Sequence, residues 1–258
     1  MRLVHRTVRE EIPGPLPETP VFTHRGDMGD VLYSLPAMRA FLGTGSVRNA
    51  GILRLLPARF TSRRMSPAMV EAMRPLLELQ PYVERAEFGG ANGNLALDIW
   101  RGRVWPRHKL NLADVHLHFL GLPYEHSHSP WLRVDEVNPI AAVVIHRTTR
   151  YHNPRFPWRA VVKKYGRDAV MVGFPEEHEV FCEAFGHVSY YSTADLLELA
   201  RVIAGSRLFI GNQSTPAAIA EGLKHRKVLE VSHPDNCEFL RPGAMHVRTG
   251  NEELPQVL

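Results

Sequence analysis

The sequence predicts an α/β protein made of two doubly wound halves. Three observations predict it. Short apolar, strand-like runs alternate with helical patterns along most of the chain. The alternation breaks once, in a stretch from 121 to 139 rich in Pro, His and Ser. Several runs end in glycine-bearing or hydroxyl-rich turns that open a helix, where doubly wound sheets place their ligands.

The elements follow in order. Residues 20–24 (PVFTH) read as a buried strand. A helix is expected from Gly29 to Leu42, with Val31, Leu32, Leu35, Met38 and Leu42 at helical spacing. Gly51 to Leu56 reads as a strand. Ser66 caps and Pro67 opens a helix to Leu79. Short strands are expected at 83–88 and 95–100, then a helix from Asn111 to Leu120 that stops at Gly121. The domains are read as 1–138, with 121–138 as linker, and 139–258. In the second, strands are expected at Ala141–Ile145, Ala169–Val172, Val188–Tyr190, Leu208–Ile210 and Lys227–Val231. Helices are expected at about 157–165, Pro175–Phe185, from a Thr193 cap to Ala204, and Thr215–Leu223.

Composition bounds the class. The 258 residues are 44% hydrophobic and 22% charged, which excludes a disordered chain. No apolar run reaches the roughly 18 residues of a membrane span, and the N-terminus lacks the apolar core of a signal peptide. Two cysteines, Cys182 and Cys237, cannot staple a fold, so a reducing cytoplasm is expected, that of the producing cell or of a host. The net charge of +4 comes with 26 Arg and only 5 Lys. Acid-free basic stretches run from 31 to 70, with Arg54, Arg59, Arg63 and Arg64, and from 99 to 113, with Arg101 and Arg103. A third runs from 137 to 167. Such stretches suit polyanions, and the six arginines just named are candidate nucleic-acid contacts. Phe60, Trp100 and Trp105 lie among them as possible stacking partners or core residues.

Four segments carry candidate chemistry. His24-Arg25-Gly26-Asp27-Met28-Gly29-Asp30 follows a strand and opens a helix. Asp30, in its first turn, can take a proton from an acceptor hydroxyl, with Asp27 the second candidate; both equally suit a helix N-terminus. Phe209 to Ala217 ends a strand and starts a helix whose free amides make an anion site, with Gln213, Ser214 and Thr215 at the turn. His146-Arg147-Thr148-Thr149-Arg150, with Arg155 beyond, offers hydroxyl and guanidinium groups to a pyrophosphate. Gly173 to Glu177 places Glu177 where ribose hydroxyls could be held. No Asp-x-Asp motif exists, and His116-x-His118 and His126-x-His128 lack the partners of a zinc site, so no metal is expected.

Together these segments resemble the ADP-heptose:lipopolysaccharide heptosyltransferase family, whose fold is GT-B, two Rossmann-like domains facing a cleft. Gly26 to Pro36 resembles the family's first-loop signature, Thr148 to Arg150 its phosphate loop, Gly173 to Glu177 its donor loop, and Gly211 to Ala220 its final phosphate-binding turn. The resemblance implies metal-independent, inverting transfer from a nucleotide-diphosphate sugar, the donor held by the second domain and the acceptor by the first. It makes Asp30 the general base. It assigns Thr148, Thr149, Ser214 and Thr215 to the pyrophosphate and sets Arg155 where the family has a lysine. The chain departs from the pattern at Gln213, Thr215 and Ala218, where the family has an acid, a glycine and a histidine. It is also shorter than typical lipopolysaccharide enzymes, and compact versions look like those of phage genomes.

The expected function is therefore glycosyl transfer, with a UDP-sugar favoured as co-substrate, no cofactor, and hydroxymethylated pyrimidine (5-hydroxymethylcytosine) in phage DNA as acceptor. The alternatives are a heptosyltransferase-like enzyme of lipopolysaccharide or another surface glycan, and a non-catalytic nucleotide-sugar-binding protein.

Overall fold

The computed structural model describes residues 18–43, 50–57, 65–90, 93–101, 103, 110–232, 243–247 and 254–255. The chain divides into two compact units, one up to Trp131 and one from Leu132.

The first unit runs β1 (Val21–His24), α1 (Met28–Leu42), β2 (Gly51–Leu55), α2 (Pro67–Glu78), β3 (Val83–Phe88), β4 (Leu95–Ala96) and α3 (Leu112–Phe119). Its four strands are parallel in the order β3-β2-β1-β4. α1 is buried over most of its circumference, as a helix apolar all round must be. α2 starts as its sequence dictates: Ser66 Oγ accepts the Met69 amide at 3.3 Å and Pro67 takes the first turn. Asn111 caps α3 by accepting the Asp114 amide at 2.8 Å. The strand expected over 95–100 is only two residues long, because residues 97–100 turn out of the sheet. That turn carries Asp98 to the Arg25 amide, whose bond it accepts at 3.2 Å.

The stretch expected as linker is held down at both ends. A 3-10 turn covers Tyr124–Ser127, and Arg39 of α1 donates to the carbonyls of Pro130 and His126 at 2.6 and 2.9 Å. Beyond it, Leu132 donates to the Gly222 carbonyl and Asn138 to that of Arg201.

The second unit runs β5 (Val143–His146), α4 (Trp158–Tyr165), β6 (Ala169–Val172), α5 (Pro175–Phe185), β7 (Ser189–Tyr191), α6 (Leu196–Gly205), β8 (Leu208–Asn212), α7 (Thr215–Gly222), β9 (Lys227–Glu230) and β10 (Ala244–Val247). All six strands are parallel, in the order β10-β9-β8-β5-β6-β7, the order of a Rossmann sheet. One face packs on Phe156, Trp158 and Phe181, with the Trp158 ring 4.6 and 5.1 Å from the other two. The cap of α6 is Asp195, which accepts the Glu198 amide at 2.8 Å, and not Thr193. The expected strand 141–145 lies at 143–146, and the one expected at 208–210 extends to Asn212. β10 lies past the last expected strand and completes the sheet edge. α7 is tied to β9 by an ion pair between Glu221 and Lys227 Nζ at 2.6 Å, both residues buried. Such a pair constrains geometry more than it stabilises.

Candidate functional site

In the second sheet the strand order reverses between β5 and β8, near whose C-terminal ends His146 and Gly211 lie side by side. Ligands of doubly wound sheets bind beyond the strand ends at this switch point. A single side chain ties the two emerging loops together. Asn212, fully buried at the end of β8, accepts the Thr148 amide at 3.2 Å. Its Nδ2 donates to the carbonyls of Thr148 and Arg150 at 3.2 and 2.6 Å. Thr149 is exposed, and Arg150 lies with its guanidinium carbon 4.9 Å from the Tyr151 ring centroid. Tyr151 adopts φ +57°, a left-handed conformation unusual for an aromatic residue.

The other lip is the start of α7. Ser214 stands at the cap position, but its hydroxyl donates back to the Asn212 carbonyl at 3.0 Å and caps no helix amide. The cap residue thus puts no side chain on the first amides of α7, and their partial positive charge faces the turn. Ser214 and Thr215 are partly exposed there. The exposed side chain of Arg155 follows a turn in which its amide donates to Asn153 at 2.9 Å.

After β6, Glu177 reaches back to accept the Phe174 amide at 3.1 Å. Gly173 has φ +134°, and a Cβ there would come within 2.8 Å of Glu177 Oε2 and 3.0 Å of His146 Nδ1. The positive φ requires glycine at this turn, and the two neighbours leave little room for a side chain. His146 Nδ1 donates to the Val172 carbonyl at 2.9 Å, and burial holds its pKa down, so the ring is neutral near pH 7.

Two residues expected at the donor have other partners. Arg147 forms a double ion pair with Glu230, at 3.0 and 3.2 Å, and lies against Trp158 and Phe185. Glu230 also accepts the Trp158 indole N–H at 3.0 Å and the Asn153 amide at 2.8 Å. Gln213 is buried, and its Oε1 accepts the Ser232 amide at 2.9 Å. Asn212 and Glu230 were missed as organising residues. A polar residue closing the apolar run Leu208–Ile210 was the signal for the first; nothing local marks the second.

In the first unit the corresponding position is the end of β1. Asp27 stands at the cap of α1 without a capping hydrogen bond from its side chain. Asp30, in the first turn, pairs with Arg101 Nη2 from the loop after β4. Burial raises the Asp30 pKa, against the opposing pull of Arg101. A quarter of the side chain stays exposed, enough for a hydroxyl to reach it. Gly26 makes the approach possible: a Cβ there would fall 2.4 Å from His24 Cε1, 2.6 Å from Arg101 Nη2 and 2.8 Å from Asp30 Cβ.

Of the candidate nucleic-acid residues, Arg54 pairs with Glu87 at 2.7 Å and Arg101 with Asp30. Arg103 is exposed and lies over the Phe119 ring at 5.7 Å. Arg59, Arg63 and Arg64, like Phe60, Trp105 and Cys237, lie outside the described residues. Among the described residues no three His, Cys, Asp or Glu side chains stand together as a metal group, and no helix is long and apolar enough to cross a membrane.

The chain has the α/β fold of the GT-B glycosyltransferases. Solved structures that share this fold include heptosyltransferases and a glycosyl transferase family 9 protein. The chain is similar to E. coli heptosyltransferase WaaC, solved with ADP-2-deoxy-2-fluoro heptose, at 15% identity and TM-score 0.52 over 90% of this chain and 94% of that one. A glycosyl transferase family 9 structure from Veillonella parvula gives 12% identity and TM-score 0.57 over 91% and 87%. E. coli ADP-heptose lps heptosyltransferase II gives 14% and 0.53 over 89% and 90%. No family model matches the chain, and no curated protein matches it in sequence.

Proposed function

We propose that the protein is a glycosyltransferase that moves a sugar from a nucleotide diphosphate to an acceptor hydroxyl, with inversion and without a metal. The observation that carries this reading is the Asn212 bridge, which frames an anion site between the 148–150 loop and the start of α7. The solved structures of like fold include two whose names carry ADP-linked heptose donors, which supports a nucleotide-sugar ligand. Thr148, Thr149, Ser214, Thr215 and the α7 amides would hold the diphosphate, Arg150 and Arg155 would meet its charge, and Glu177 the ribose. Asp30 would take the acceptor proton as that oxygen attacks the anomeric carbon and the bond to the diphosphate breaks. Its raised pKa makes it a stronger base than an exposed carboxylate.

The acceptor we favour is a sugar hydroxyl of lipopolysaccharide or another surface glycan, in line with the like-folded heptosyltransferases. The second reading is a hydroxymethylated pyrimidine in DNA. The acid-free arginine stretches favour it, and the internal pairing of Arg54 and Arg101 counts against it.

A donor-by-acceptor screen tests both. UDP-glucose, UDP-N-acetylglucosamine, GDP-mannose and ADP-heptose are set against heptose-less lipopolysaccharide and duplex DNA containing 5-hydroxymethylcytosine, with products read by mass spectrometry. A glycosylated lipid supports the first reading and a mass-shifted nucleoside the second. Nucleotide-sugar binding without transfer in every pairing would leave a binding protein.

A further inference from the structure

Beside Asp30 lie two buried imidazoles, His24 and His116, and the partly buried indole of Trp100, which the proposed chemistry does not use. Trp100 Nε1 donates to His116 Nε2 at 3.0 Å. An indole N–H can only donate, so His116 must keep that nitrogen bare and carry its proton on Nδ1. Nδ1 donates to the Leu112 carbonyl of the same helix at 2.7 Å. Burial pushes the His116 pKa down to about 3, so this neutral tautomer persists at any working pH. The His24 ring lies 5.7 Å from the His116 ring, and its Nδ1 accepts the Gly26 amide at 2.9 Å. The Arg101 guanidinium carbon sits 4.8 Å from the Trp100 ring centroid while its Nη2 pairs with Asp30.

We propose that Trp100 and His116 are positioning residues for the candidate base: the indole, pinned to α3 through His116, holds Arg101 against Asp30 and thereby sets the carboxylate's orientation and basicity. This rests on the reading of Asp30 as the base. A guanidinium held on a ring face and on a carboxylate at once keeps a planar geometry that a solvated ion pair loses. The turn at 97–100, which replaces the expected strand, is what brings Trp100 and Arg101 to this place.

The test follows the Asp30 carboxyl titration by carbon-13 shifts in the full chain, its resonance identified by loss in Asp30→Asn. Trp100→Phe keeps a ring under Arg101 and removes the indole N–H. His116→Leu removes the acceptor, and His116→Gln supplies another. Asp27, which also faces Asp30, is untouched in all of them. The midpoint is expected to rise by about one pH unit in Trp100→Phe and His116→Leu, because the cation favouring the charged form is less well held, and to return toward the parent value in His116→Gln. In the transfer assay, Trp100→Phe lowers kcat about tenfold with the donor KM unchanged. Trp100→Phe carries the test even where His116→Leu fails to fold. An unmoved midpoint in folded Trp100→Phe, with Asp30→Asn inactive, overturns the positioning role alone. Full-rate transfer by Asp30→Asn overturns the base and the positioning role together.

Discussion

Arg147 and Glu230, 83 positions apart, form a double ion pair at 3.0 and 3.2 Å in which the carboxylate is fully buried. The pair fastens the loop after β5 to the end of β9. Glu230→Ala should leave the guanidinium without its partner and destabilise the protein by about 3–5 kcal/mol. Urea unfolding measures this. A loss below about 1 kcal/mol would show that the network is dispensable.

Asn212 presents one acceptor and two donors to the backbone of the opposite loop. Asn212→Ala should weaken binding of a nucleoside diphosphate at least tenfold and cost about 1–3 kcal/mol of stability through the orphaned backbone groups. Titration calorimetry with ADP and UDP reads the first effect. Unchanged affinity for both would place the diphosphate elsewhere.

Asp30→Asn keeps shape and removes basicity. Turnover should fall roughly 10²–10⁴-fold with donor affinity intact. Because the carboxylate must be ionised and its pKa is raised by burial, activity should climb with pH through a midpoint above the ordinary value of 3.8. A rate flat from pH 4 to 7 would show that no such group is titrating.

His24 and His116 are both fully buried, and burial pushes each down to about 3 from 6.5. The unfolded chain therefore binds protons that the folded one refuses. Stability is complete above pH 6.5 and declines as pH falls toward 3, by about 1.4 kcal/mol per pH unit for each ring. Urea midpoints between pH 7 and 4.5 check the slope, and His24→Phe should flatten it. An equal slope in that variant would assign the acid sensitivity to other groups.

Much of this architecture was legible locally. The helix starts at Ser66-Pro67 and Asn111 and the apolar runs of β5, β6 and β8 are short-range signals, and the structure keeps them. The failures have a common physical cause. Residues 97–100 look like a strand but turn, since Asp98, Trp100 and Arg101 find partners in elements distant in sequence. Thr193 was the expected cap of α6, and the carboxylate of Asp195, two residues on, took the amide instead. β10 is an edge strand specified by its register with β9, which no local pattern reveals. The candidate site divides in the same way. Its glycines and hydroxyls announce themselves by residue type, whereas the partners that orient them, Glu230, Asn212 and His116, act across long separations or through a bond the sequence does not display.

The Asn212 clamp touches only main-chain atoms of Thr148 and Arg150. It is thus indifferent to which side chains those positions carry. Substitution at Thr149 and Arg150 can change the chemistry facing a ligand while the loop keeps its path. A library randomised at these two positions would explore donor preference on a frame that does not have to be redesigned with each variant.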